Sequence, residues 1–186
     1  MKSKFNRWHR SNLAFVALVA SLFFGCAKQN STLDETGSRR TGANTVSTSP
    51  TAEISVLDAE EKLLFQLINQ YRQQHNLKSL HLSSPLTRAA KWMSADMAKH
   101  NYLEHQDSQK RNMGERLSDF GYSWLRYATA ISENIARGHN SAERTLKQWK
   151  GSPPHNANIL NPRFRVIGIG RGGGDDWFWT TDFGGR

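Results

Sequence analysis

The chain has 186 residues, 37% of them hydrophobic and 22% charged, which is ordinary for one globular domain with tails. It carries 25 basic and 16 acidic residues; four of the basic residues precede Cys26 and no acidic residue does, which leaves 21 against 16 for the rest. Cys26 is the single cysteine of the sequence, which excludes an intramolecular disulfide, a CxxC redox pair and a thiolate metal cluster.

Residues 1–25 have the pattern of a secretory signal peptide. The four basic residues precede an uncharged run of 12 residues, 13–24, which is too short to cross a bilayer, where about 20 are needed. The run leads through Gly25 to Cys26, which resembles a bacterial lipoprotein signal with an acylated cysteine. We therefore expect an extracytoplasmic protein that is anchored to a membrane through lipidated Cys26. The alternative is an ordinary secretory signal peptide, in which case Cys26 has no special role and the protein is secreted.

Residues 26–56 are rich in Ser and Thr and have few large apolar side chains. Such a segment cannot bury enough surface to offset the entropy of ordering it. It predicts a disordered tether, and residues 57–186 form the predicted domain.

Four amphipathic helices are predicted at the start of this domain, since apolar residues recur behind each start at helical spacing. Each start carries a capping residue followed by an acidic residue or a proline, and the pairs are Asp58 with Glu61, Ser84 with Pro85, Asn112 with Glu115, and Asn140 with Glu143. A short fifth helix begins at Pro153, with Ser152 as its cap.

The C-terminal part changes to the alternating pattern of strands. Residues 166–170 and 177–183 alternate, and the Gly-rich segment 171–176 between them predicts a hairpin. The string Gly168–Gly173 matches GxGxxG, but no helix follows it to hold a pyrophosphate, so we interpret these glycines as permitting a tight hairpin. Helices followed by a hairpin predict an α+β domain.

Three polar residues stand out as a candidate site: His105, Glu133 and His155. In an extended segment Glu133 shares a face with Ile131 and Ile135, so a buried carboxylate there requires a cation or a donor. His155 is the third residue of the short helix, whose positive end favours a neutral ring. Spacing alone does not join these residues, and each also fits a role in the core or on the surface.

The order of segments resembles the CAP superfamily of cysteine-rich secretory, venom-allergen and plant pathogenesis-related proteins, and most closely its bacterial members without disulfides. The segments that carry the resemblance are 67–72 (LINQYR), 86–90 (LTRAA), His105, 132–136 (SENIA), Trp149, 152–160 (SPPHNANIL), 168–170 (GIG) and 179–184 (WTTDFG). The resemblance implies a three-layer α-β-α sandwich. It also implies a cleft lined by two histidines and acidic residues.

Position by position, His105 and His155 match the family's histidines and Glu133 matches its first glutamate, while Ser152 stands where animal members have a second one. The resemblance implies His105 and His155 as ligands of a divalent metal such as zinc, with Ser152 and Asn134 as further cleft residues. With one carboxylate fewer, Glu133 is the candidate general base.

These features predict a membrane-tethered module of the bacterial envelope that binds a lipid or another envelope ligand. The alternative is a metal-dependent hydrolase that acts on envelope peptides or lipids. Secretion and the lack of a basic helix argue against a nucleic-acid partner.

Overall fold

The computed structural model describes residues 56–125 and 130–185; the predicted signal peptide, Cys26 and nearly all of the predicted tether lie outside them. Within these ranges the helices and strands are, in chain order, α1 (Ala59–Gln74), β1 (His81–Leu82), α2 (Ser84–His100), α3 (Met113–Asp119), β2 (Ile131–Arg137), α4 (Ala142–Lys150), α5 (Pro153–Ile159), β3 (Phe164–Gly173) and β4 (Trp177–Gly185). The predicted hairpin is confirmed as β3 and β4. The two-residue β1 was not predicted.

The strands form one sheet in the order β1-β3-β4-β2. The β3–β4 and β4–β2 pairs are antiparallel, while β1 runs parallel to β3. Helices pack on both faces, which confirms the predicted α+β sandwich of three layers. Strand β2 lies at one edge of this sheet, so residues from both helical layers can meet beside it.

Local capping chemistry sets the helix starts. The predicted boxes at Asp58–Glu61 and Asn112–Glu115 are both present, with each side chain bonded to the main-chain N–H of the other residue. The prediction for α4 was wrong by one residue: its cap is Ser141, whose side chain accepts from the main-chain N–H of Arg144. Helix α2 likewise begins after Ser83, one residue before the predicted cap.

One face of the sheet is covered by α1, α4 and α5 through large apolar side chains. Trp149 of α4 is fully buried there, and its indole N–H donates to the Ile135 carbonyl at 3.1 Å. Arg72 of α1 is also fully buried and donates to the carbonyls of Ile159 at 2.6 Å and Asn161 at 3.1 Å. Arg72 therefore holds the C-terminal end of α5.

The other face is covered by α2 and α3. Gly168 and Gly170 of β3 face α2 so closely that an added Cβ would overlap the main chain of Leu86 and of Lys91. For Gly168 and Gly170 the interpretation that the glycines permit a tight hairpin was therefore wrong, because these two let a helix backbone lie against the strand. Only Gly173, with φ of +132°, has a backbone conformation that calls for glycine at the turn.

None of the helices in the described ranges is long and apolar enough to cross a membrane.

Candidate functional site

The candidate site lies at the edge strand β2, where the two helical layers meet. His105 belongs to the segment between α2 and α3, Glu133 to β2, and His155 to the first turn of α5. The structure brings His105 and Glu133 into direct contact across 28 positions of sequence. His155 reaches the same region from the opposite face of the sheet.

Glu133 is 6% exposed and lies, as predicted, on the same face of the extended strand as Ile131 and Ile135. Its Oε1 is 2.8 Å from Nδ1 of His105. Because a carboxylate only accepts, Nδ1 of His105 carries the hydrogen and Nε2 is left for a ligand. The His105 side chain is 58% exposed, so the ring is accessible to a ligand.

The cation that neutralises Glu133 is Arg116 of α3, whose guanidinium is fully buried and donates from Nη2 to Oε2 of Glu133. Nη1 of Arg116 also lies 3.4 Å from the His105 carbonyl and 3.9 Å from a carboxyl oxygen of Asp107. Arg116 thus holds both the carboxylate and the segment that carries His105.

Sequence reasoning missed Arg116 because a charged helical residue is more often exposed. One signal was available. Arg116 follows Met113 by three positions and precedes Leu117 by one, so it falls within the apolar stripe of its helix. A charged residue within an apolar stripe indicates that a buried group of opposite charge lies opposite it.

The two histidines have pKa values shifted in opposite directions. The hydrogen bond that His105 donates to Glu133 is the main reason that the pKa of His105 is raised above 6.5. The pKa of His155 is lowered by burial and, to a smaller extent, by the charge of His105. Burial therefore favours the neutral His155 ring that we predicted.

Ser152 has a different role from the predicted cap. It occupies the N-cap position of α5, but its side chain makes no capping hydrogen bond. Its Oγ instead lies 2.9 Å from Nδ1 of His155. Ser152 therefore orients the imidazole ring.

Asn134 follows Glu133 in β2, and successive strand residues point to opposite faces. Its Nδ2 donates to the His155 carbonyl at 3.1 Å, and its Oδ1 accepts from Asn158 at 2.9 Å. Asn134 is fully buried, so it fastens α5 to the sheet and thereby sets the position of His155.

The side chains present are a poor fit for a resident catalytic metal. A catalytic zinc ion usually has three protein ligands. In the described ranges no group of three or more His, Cys, Asp or Glu side chains is arranged to hold an ion. Glu133 is engaged by His105 and Arg116, which leaves the two imidazoles as candidate ligands. The metal site at His105 and His155 stays a prediction.

The sequence is similar to that of known proteins. The model of the cysteine-rich secretory protein family, CAP, matches residues 65–183. The uncharacterised protein YkwD of Bacillus subtilis is 36% identical over 143 residues, which are 77% of this chain and 52% of the relative. The chain therefore spans about half the length of that relative.

Solved structures show the same arrangement of helices and strands. An extracellular protein with an SCP domain from Bacillus anthracis superposes with a TM-score of 0.63 and 28% identity, over 74% of this chain and 44% of the other. An outer surface protein from Borrelia burgdorferi gives a TM-score of 0.61 at 22% identity, over 70% of this chain and 96% of the other, which is a likeness of fold alone.

Proposed function

The chain belongs to the cysteine-rich secretory protein family, CAP, and from this premise we propose that it works outside the cytoplasm as a binding module of the bacterial envelope. Two observations support that location. The signal-like residues 1–25 precede the domain, and a similar protein of Bacillus anthracis is extracellular. The cleft beside β2 is the binding site in this proposal.

The observation that carries the proposal is the state of Glu133. Both of its carboxylate oxygens are engaged, one by His105 and the other by Arg116. A general base needs a free oxygen within reach of the proton that it removes, so this arrangement favours binding over catalysis. The imidazole of His105 is held by its hydrogen bond to Glu133 and is exposed, which suits recognition of a polar ligand group.

We propose a lipid headgroup as the ligand, since an anchored domain lies beside a membrane and the sequence after the leader has a basic excess. The test is co-sedimentation of residues 27–186 with vesicles of phosphatidylglycerol, because this protein carries neither the apolar leader nor an acyl chain. The bound fraction should fall several-fold in the His105→Ala/His155→Ala variant. His81→Ala is the matched control, since β1 lies at the opposite edge of the sheet. Equal sedimentation of all three proteins would reject the cleft as the binding site.

The alternative, a metal-dependent hydrolase, has one feature in its favour. A carboxylate that orients the Nδ1 of a histidine, as Glu133 does for His105, is common behind metal-binding imidazoles. His105 and His155 would then be the ligands, and a bound ion would supply Lewis-acid activation of water. That set is one ligand short of the usual three.

A calorimetric titration of the full chain with zinc ions alone separates the two functions. If the domain is a binding module without a metal, zinc ions should produce no saturable heat of binding. A metal centre predicts saturable heat that disappears in His105→Ala/His155→Ala and persists in His81→Ala. Saturable heat with this pattern would revive the hydrolase and justify a screen of envelope substrates.

Anchoring through Cys26 is proposed from the sequence. Wild-type protein should fractionate with membranes, and Cys26→Ala should appear in the soluble fraction, because an acyl anchor depends on the thiol. Identical fractionation of the two proteins would contradict the lipid anchor while leaving the cleft proposal intact.

A further inference from the structure

Asp182 lies at the centre of the sheet, directly beside the candidate site. It belongs to β4, where its register partners are Glu133 of β2 and Gly168 of β3. Paired residues of adjacent strands project to the same face, so the Asp182 and Glu133 side chains both lie beneath the layer of α2 and α3. Asp182 is 0% exposed.

The surroundings of Asp182 do not compensate a negative charge. No donor in the described part of the chain bonds its carboxyl oxygens. The side-chain hydrogen bond open to it is with another carboxyl, that of Glu133, to which only a protonated Asp182 can donate. β3 contributes Gly168 opposite it, and α2 brings the main chain of Leu86 against that glycine. The charged groups nearby are Glu133 and Arg116. His105 is bonded to Glu133, and Asp107 lies beside Arg116.

Asp107 has its own arginine, Arg111, at 2.9 Å, so Arg116 is left with two buried carboxyls beside it, those of Asp182 and Glu133. The hydrogen bond from Arg116 is made to Glu133 and not to Asp182. A buried carboxylate without donors is strongly disfavoured, and adjacent like charges cannot both be held without cost. Burial, reinforced by the negative charge of Glu133, raises the pKa of Asp182 well above its usual range.

We propose that Asp182 is a positioning residue that stays a neutral carboxylic acid in the folded protein, so that Arg116 pairs with Glu133 and not with Asp182. A second negative charge at this place would compete for the guanidinium and loosen the carboxylate that orients His105. This inference concerns how the cleft is built and holds whatever ligand the cleft takes.

The test is the pH dependence of thermal unfolding in the full chain, wild type against Asp182→Asn. In the folded state Asp182 binds a proton that the unfolded chain releases above pH 3.8, so wild-type stability should fall as pH rises from about 4 to 8. Asn has nearly the same shape and no proton to lose. The melting temperature of Asp182→Asn relative to wild type should therefore increase steadily across this range, by about 10–20 °C in all.

The sign of this slope decides the question. An ionised Asp182 that formed a salt bridge would give the opposite slope, and a purely structural residue would give a constant difference; either result overturns the proposal. Thr181→Val is the matched control, because Thr181 is the buried neighbour on the other face and its hydroxyl has no partner in the described ranges. The difference in melting temperature between Thr181→Val and wild type should be the same at every pH.

A second measurement covers the case in which Asp182→Asn fails to fold. Wild-type protein labelled with carboxyl ¹³C aspartate should show, at pH 7, one side-chain resonance with the chemical shift of a protonated acid. If every aspartate resonance has the chemical shift of the carboxylate at pH 7, the proposal is rejected.

Discussion

Each helical layer buries an arginine completely, Arg72 in α1 and Arg116 in α3, and each arginine bonds the segment that carries one cleft histidine. Arg72 donates to the main-chain carbonyls of Lys78, Ile159 and Asn161, which are neutral dipoles. Arg116 donates to a carboxylate, Glu133. The layer with Arg72 therefore positions His155 through backbone packing, while the layer with Arg116 positions His105 through a balance of charges.

The largest expected effect tests the charged side of this comparison. Arg116→Met leaves the Glu133 carboxylate buried without its cation and should lower the free energy of unfolding by about 3–5 kcal/mol. The double variant Arg116→Met/Glu133→Leu removes both charges and should recover most of that loss. Urea denaturation at pH 7 measures both variants. A double variant as unstable as the single one would show that packing, and not charge balance, governs this layer.

A second prediction concerns the close approach of α2 to the sheet on the same side. Gly170→Ala places a methyl group into the main chain around Lys91, so the free energy of unfolding should fall by about 3 kcal/mol. Gly174→Ala, where a Cβ meets nothing within 4 Å, is the control and should change it by less than about 0.5 kcal/mol. Equal urea midpoints would refute the steric role of Gly170.

On the uncharged side, Arg72→Met removes hydrogen bonds from buried carbonyls and leaves no carboxylate unpaired. The free energy of unfolding should fall by about 2 kcal/mol, with the same loss at pH 6 and pH 8. Amide hydrogen exchange should increase in α5 more than in α3, because Ile159 is the last residue of α5. Faster exchange in α3 instead would remove the distinction between the two layers.

The smallest expected effect concerns the histidines themselves. The pKa of His105 is raised in the folded state, so its contribution to stability is present below pH 6.5 and is lost as pH rises through the folded value. The pKa of His155 is lowered, so its contribution is present above pH 6.5 and is lost as pH falls.

Melting temperatures of His105→Gln and His155→Gln between pH 5 and 8 measure this difference. His105→Gln should fall further below wild type at pH 5 than at pH 8, and His155→Gln should show the reverse. Each effect is a few tenths of a kcal/mol, since solvent screens the partly exposed His105–Glu133 pair. Parallel profiles for the two variants would refute opposite electrostatic environments.

Much of the fold was predictable because its signals are local. The capping boxes at Asp58–Glu61 and Asn112–Glu115 each lie within one helical turn, and both are present. The cap of α4 was misplaced because Asn140 and Ser141 are adjacent residues of equal capping ability. The two-residue β1 has too few positions to show a period, and its pairing with β3 depends on a distant segment.

The amino-acid order by itself determined the helix starts to within one residue, the hairpin, the apolar stripes and the extended segment that presents Glu133, since these depend on side chains a few positions apart. Tertiary structure alone decided that Arg116 neutralises Glu133 from 17 positions away, and that Asp182 lies beside Glu133 without a donor. It also decided that the glycines of β3 face a helix. Charge partners and close backbone contacts are set by which segments meet in space, and no local pattern encodes that meeting.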